Sequence, residues 1–243
     1  AAGIIGTADL AKFGAQVEPL LLACKAASPN YRGIRCSAQH DPLVTDRFAV
    51  AEPGLYLQPK FREGFALLEK HGLVFDAWLF STQLPDLRDL ALAFPGTAIV
   101  LNHAGTPVAA LGDYSSAEAY HGKQEDILTK WREAMVSIAK DCPNVSVKIG
   151  GLCIPQLGHG FEARERPPTS EEVAAVVGDT CRWVIRTFGP GRCMFESNFP
   201  ADKVSVSYTV LWNAYKLLTK EAGLSDEDRT LVFSGTAKRV YRL

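Results

Sequence analysis

The stretch RCMFESNFPADK, residues 192–203, is an apolar run that turns polar only where it ends. Cys193, Met194 and Phe195 read as a buried strand, and Glu196, Ser197 and Asn198 stand at its exit, ahead of Phe199-Pro200. A carboxylate at the end of a buried strand costs free energy unless it is paired or used. The same design recurs upstream. Asp9 follows GIIGTA, Arg35 and Ser37 lie in YRGIRCSA, His103 stands near the end of AIVLNHAG, and Lys148 interrupts VSVKIGGL. A closed parallel barrel brings every such strand end to one site, whereas an open doubly wound sheet does so only at its switch point.

Working outward from that run, apolar strands over 3–10, 31–38, 74–80, 98–105, 145–152 and 193–200 alternate with helical patterns. The helices are expected over 17–27, 59–72, 85–94, 123–141, 170–187 and 205–221, with a last one from a Ser225 cap to the end. Continuous apolar strands alternating with helices indicate a parallel sheet covered on both faces. The first strand is followed by GTADLAKFG, which lacks the G-x-G-x-x-G phosphate fingerprint. The expected fold is therefore α/β, of the (β/α)8 TIM-barrel type, as a single domain over 1–243. Six strands are legible where that barrel has eight, so the first two strand–helix units are expected to be missing from this chain. Such a sheet has two exposed edges and an uncovered interior, which predicts residues ahead of Ala1 in the native product or a partner that supplies them. It also makes a homo-oligomer possible.

Hydrophobic content of 47% and charged content of 22% are those of an ordinary globular protein. A net charge of -1 gives no electrostatic basis for binding nucleic acid or an anionic membrane. No apolar run approaches the roughly 20 residues of a membrane span. The opening AAGIIGTADL has none of the marks of a signal peptide. Cysteines at 24, 36, 142, 153, 181 and 193 form no C-x-x-C pair. They read as mostly buried free thiols in a reducing compartment, with the cytoplasm as the expected location.

The strand ends carry the candidate chemistry. Glu196 and Asn198 are two apart and are expected to project together, with Ser197 opposite. That pairs a carboxylate able to act as base with a hydrogen-bonding amide. His103 is placed to bind a metal, polarise a carbonyl or move a proton, unless backbone groups in a core satisfy it. Lys148 suits an anionic substrate or its carbonyl, and also a salt bridge to Glu196. Arg35 offers a fork that fits a carboxylate. Gln83, in FSTQLP, is read as a substrate contact or a cap for the following helix, and His40 as a substrate contact from the loop. Asp202 and Lys203 are expected to form a surface pair. The H-E-x-x-H and G-x-S-x-G motifs are absent, so helix-borne zinc and serine-hydrolase readings are poor.

Taken in order, GIIGTADL, GIRCS, FDAWLFSTQLPD, IVLNHAG, NVSVKIGGL and RCMFESNFP resemble the strand signatures of the amidohydrolase-related family. Within it they are similar to the lactonase-like branch, the predicted metal-dependent hydrolases of the TIM-barrel fold. The resemblance runs from residue 3 to the terminal FSGTAKRVYRL. It implies a first strand carrying His-x-His, which is absent here, a later strand-end His at His103, and a metal-binding Asp where Asn198 stands. A neutral amide is a poorer ligand for a divalent ion than a carboxylate. The implied cofactor is thus either none or one zinc-like ion, held in part by His103 if the His-x-His strand is supplied. The implied reaction is hydrolysis of a small carboxylated cyclic ester by water attack on a polarised carbonyl. His103 and Lys148 would polarise, Arg35 would bind the carboxylate, Glu196 would serve as base, and Asn198 would position water or substrate. The alternatives are a metal-dependent decarboxylase or amide hydrolase, and a non-catalytic protein that binds a small acid or a protein partner. Specificity is expected to lie in loops 36–60 and 105–122.

Overall fold

The computed structural model describes residues 1–45, 49 and 51–243; positions 46–48 and 50 of the 36–60 loop lie outside the described residues. Strand β1 (Ile4–Thr7) is followed by α1 (Leu10–Phe13) and α2 (Glu18–Ala27), and β2 (Tyr31–Ser37) by α3 (Pro59–Lys70). Then β3 (Val74–Trp78) precedes α4 (Leu84–Ala93), β4 (Ile99–Leu101) precedes α5 (Gln124–Asp141), and β5 (Val145–Ile149) precedes α6 (Ser170–Phe188). The last strand, β6 (Cys193–Phe195), leads to α7 (Tyr208–Glu221), α8 (Asp226–Thr230) and α9 (Thr236–Tyr241). Among the described residues the six strands pair in the order β1 to β6, each parallel to the next. A sequential order has no reversal, so there is no switch point of the doubly wound kind. The architecture is that of a TIM-type barrel, seen in part.

Alternation along the strands separates two faces. Ile34, Phe75, Ala77, Leu101, Val147 and Phe195 look outward and join the main core with helical residues such as Leu68, Leu87, Met135, Val177 and Leu211. Fully burying one such side chain stabilises by about 1.5–3 kcal/mol. Val74, Val100 and Met194 look inward, where Val240 and Tyr241 of α9 pack on them. The inner face expected to lie uncovered is therefore closed at the N-terminal end of the strands by the chain's own last helix.

Caps set the helix starts. Thr169 accepts from the Glu172 backbone N–H at 3.3 Å, and Glu172 accepts from that of Thr169 at 2.7 Å, a reciprocal box ahead of α6. Ser225 caps α8 as expected, accepting from Asp228 N–H at 3.1 Å. The single helix expected beyond Ser225 is interrupted, because the Thr236 N–H bonds back to the carbonyl of Leu231, five residues earlier. Asp9, expected among the polar strand ends, instead caps α1 by accepting from Lys12 N–H at 2.8 Å. Among the described residues no helix is long and apolar enough to cross a membrane. All six cysteines are free, four of them buried.

Candidate active site

The inner face turns polar toward the C-terminal ends of the strands. Arg35 and Asp76 are register partners on β2 and β3. Asp76 is fully buried and takes three partners: Lys148 Nζ at 2.5 Å, the Tyr241 hydroxyl at 2.7 Å and Arg35 Nη2 at 3.5 Å. Asn102 Oδ1 accepts from Arg35 Nη2 at 2.9 Å and from Lys148 Nζ at 3.1 Å, while its Nδ2 donates to the Ala77 carbonyl at 3.0 Å. These bonds satisfy an acid and an amide that burial would otherwise penalise.

His103 is 2% exposed, and its Nδ1 lies 2.6 Å from Glu196 Oε1. Lys148 Nζ stands 3.8 Å from the other carboxylate oxygen, Oε2. Burial alone would raise the Glu196 carboxyl, but the charge and hydrogen bond of His103, with Lys148 and Arg35 behind them, outweigh it and hold it at about 2. Glu196 is thus ionised and can only accept, so the Nδ1 proton sits on His103. That leaves Nε2 as the ring nitrogen able to take a proton, with no partner among the described residues.

The backbone that carries His103 is unusual. His103, Ala104, Gly105 and Thr106 all have positive φ, a single left-handed turn immediately after β4. Each non-glycine residue there costs roughly 1–2 kcal/mol, so packing must hold the turn in place. Trp131 of α5 does so, donating from Nε1 to the Ala104 carbonyl at 2.7 Å. Trp78 stands edge-on to the His103 ring at 5.5 Å.

Gly150 and Gly151 make room for the pair. A Cβ built on Gly151, where φ is +60°, would sit 2.6 Å from Cγ of His103, and one on Gly150 would meet the Glu196 side chain. Gly151→Ala is therefore expected to push the imidazole off Glu196 and lower kcat by about tenfold or more, because one ångström of misplacement is worth up to ~100-fold. A kcat within twofold of wild type, with unchanged melting temperature, would show that the ring has slack.

His103, Arg35, Trp78 and Asn198 line a cavity of about 770 Å³. Its outer wall comes from loops: Thr45, Tyr114, Ser116, and the run Ile154, Pro155 and Gln156. Thr45 ties two of these loops together, its N–H bonding to the Ser116 carbonyl at 2.7 Å. Loop 150–169 was not among the loops expected to shape the cavity. On the other side of Arg35, Thr7, Ser37, Asp76 and Lys148 line a second opening of about 620 Å³.

Several expected positions differ. β6 ends at Phe195, so strand alternation does not reach Glu196 and Asn198. Asn198 has φ +52° and its Nδ2 donates to Asp202 at 2.7 Å, while Glu196 turns to His103. Asp202 is not half of a surface pair: it is fully buried, while Lys203 is exposed. Burial pushes its carboxyl up to about 7, with the Glu196 charge adding to the rise and the Asn198 bond opposing it. Gln83 and His40 meet each other and not this cavity. Gln83 is buried, donates to the Ala38 carbonyl, and accepts from the His40 N–H at 2.9 Å and the Phe80 N–H at 3.3 Å, so its amide is spent on backbone. His40 Nδ1 lies 3.0 Å from the Ala51 carbonyl. Asp76, Asn102 and Tyr241 went unmarked in the sequence, although an acid inside the apolar run VFDAWLF was a usable sign.

The donor set near His103 does not by itself suit a divalent ion. Both carboxylates, Asp76 and Glu196, already face fixed cations. Among the described residues no three His, Cys, Asp or Glu side chains come together as ligands.

The family model described as Amidohydrolase matches residues 22–243. An uncharacterized protein, y4mH, of Sinorhizobium fredii is 34% identical over 241 residues, which are 99% of this chain and 70% of that protein. An L-fucono-1,5-lactonase of Burkholderia ambifaria is 28% identical over 244 residues, covering 100% of this chain and 71% of its own length. The crystal structure of an amidohydrolase from Burkholderia multivorans with bound zinc superposes with a TM-score of 0.74 at 25% identity, over 100% of this chain and 74% of that one.

Proposed function

We propose that this chain, which belongs to the amidohydrolase family and is a hydrolase, opens a small carboxylated lactone by attack of water on the ring carbonyl. The observation that carries this reading is the His103–Glu196 pair at 2.6 Å beside the 770 Å³ cavity. The lactonase name of the 28% identical relatives supports the substrate class.

Glu196, held at about 2, is a weak base near neutral pH, so proton transfer passes to the residue it orients. His103 Nε2 takes a proton from water as the oxygen adds to the carbonyl carbon. The ring C–O bond then breaks, and the imidazolium returns that proton to the leaving alkoxide. The product is an open hydroxy acid, which ionises and releases one proton. Arg35 keeps Nε and Nη1 for the substrate carboxylate while Nη2 is held by Asn102 and Asp76. Lys148, in the same cluster, adds positive potential toward the oxygen that gains charge. Each of these groups is supplied by the described residues.

The test is hydrolysis of a panel of sugar-acid and aromatic-acid lactones, matched with neutral lactones. Turnover confined to carboxylated rings is expected, and Arg35→Met should raise KM for them by about 10–100-fold, as loss of a charged hydrogen bond of about 1.5–3 kcal/mol. Equal effects of Arg35→Met on neutral and carboxylated rings would remove Arg35 from carboxylate binding. No turnover of any lactone would overturn the reading.

A further inference from the structure

Asp202 has no part in the reaction as set out above, yet it is fully buried four residues beyond Asn198. Its Oδ1 accepts from Asn198 Nδ2 at 2.7 Å, and its buried Oδ2 meets no donor at hydrogen-bond distance among the described residues, the Cys153 backbone N–H adding only a weaker influence on the carboxylate. The backbone closes the same turn, with the Asp202 N–H bonding to the Asn198 carbonyl at 3.2 Å and the N–H groups of Ser205 and Val206 both bonding to the Asp202 carbonyl at 3.0 Å. A buried carboxylate with one oxygen unmatched is unfavourable for folding, so an apolar or amide side chain would serve the fold better. Something other than stability accounts for an acid here.

The geometry points to Asp202 as a positioning residue: by accepting from Nδ2 it fixes the Asn198 amide with Oδ1 turned toward the cavity, where that oxygen accepts from the hydrolytic water. A carboxylate has no proton to give, so only the NH2 end of the amide can face it. Asn198 lines the same cavity as His103. The water then gives one hydrogen bond to His103 Nε2 and the other to Asn198 Oδ1, which aims its lone pair at the carbonyl carbon. An Asn in place of Asp202 could donate to Oδ1 and turn the amide over. This role rests on the lactone-hydrolase reading for its kinetics, but not for its hydrogen bond.

Two readouts test it at pH 8.5, where Asp202 is ionised. In nitrogen-15 spectra the side-chain NH2 pair of Asn198, identified by its loss in Asn198→Gly, is expected to shift in Asp202→Asn. An unmoved pair overturns the inference whatever the substrate. In lactone hydrolysis, Asp202→Asn is expected to lower kcat by about 10–100-fold with KM within twofold, because water and not substrate is misaimed. Asn198→Gly removes only the amide, since glycine takes a positive φ freely, and should show the same loss. The double variant should lose no more than either single one. Wild-type kcat in Asp202→Asn, or additive losses, would sink the assignment. If Asp202→Asn does not fold, wild-type kcat in Asn198→Gly does so equally. Absence of lactone turnover in the wild type would instead reject the lactone reading and leave the spectral result to decide this one.

Discussion

Glu196→Gln is expected to lower kcat/KM by about a thousandfold or more. A carboxylate beside Nδ1 forces the proton onto that nitrogen and leaves Nε2 as the base. A carboxamide can instead donate to Nδ1, which moves the proton to Nε2 and removes the base. In the serine-protease triad the equivalent change, which leaves the geometry intact, costs about 10⁴. The same substitution also acts on stability. The carboxyl titrates at about 2 in the folded protein, below its ordinary 4.5. The folded state therefore gains stability from its ionisation above pH 4.5, and that gain is lost as pH falls toward 2. The direction of this shift makes ionisation of Glu196 a stabilising contribution at neutral pH. Glu196→Gln should thus be less stable than wild type at pH 7, with the gap closing below pH 4.5. Urea unfolding at pH 7 and pH 3 measures the gap, and steady-state kinetics measures the base. Retained kcat/KM would mean that His103 does not carry the proton.

Asp76→Asn should destabilise the protein by about 3–5 kcal/mol, the cost of leaving a buried charge without its partner. Asp76 is fully buried, and the Lys148 side chain that meets it at 2.5 Å is only 12% exposed. Arg35, at 3.5 Å and 34% exposed, can turn toward solvent and contributes less. An Asn in this place keeps the shape and an acceptor for Tyr241, but it leaves Lys148 with neutral near neighbours, Asn102 and the Tyr241 ring, and with the more distant Glu196 as its nearest carboxylate among the described residues. Adding Lys148→Met should recover part of the loss, since the pair removed together leaves no lone charge. A loss under about 1 kcal/mol in Asp76→Asn would show that water reaches the cluster and screens it. Activity should fall in both variants, because Arg35 loses one of the two anchors on Nη2.

The parallel alternation and most helix positions were legible because the signals are local. Apolar runs of strand length, Ser225 as a cap and the spacing of Trp131, Met135 and Ile138 depend only on near neighbours in the chain. The clustering of Arg35, His103, Lys148 and Glu196 was legible for a related reason: each interrupts or ends a buried strand, and a barrel has one place where such ends meet. Gln83 misled because an amide before a helix reads the same whether it faces a ligand or backbone. Asp202 misled because the turn after a strand carries no period, so nothing in ADK tells a buried acid from a surface pair.

By itself, then, the amino-acid order determined the barrel class, the element sequence and which residue types stand at the strand ends. Folding alone decided which of those groups touch. Tyr241 reaches Asp76 across 165 positions, Lys148 chooses Asp76 over Glu196, and His103 meets Glu196 across 93 positions on a left-handed turn. Periodicity is set by backbone geometry over a few residues, and so it shows in the sequence. Partner choice between buried charges is set by distances of a few ångströms in a medium that screens poorly, and those distances exist only once the strands are side by side.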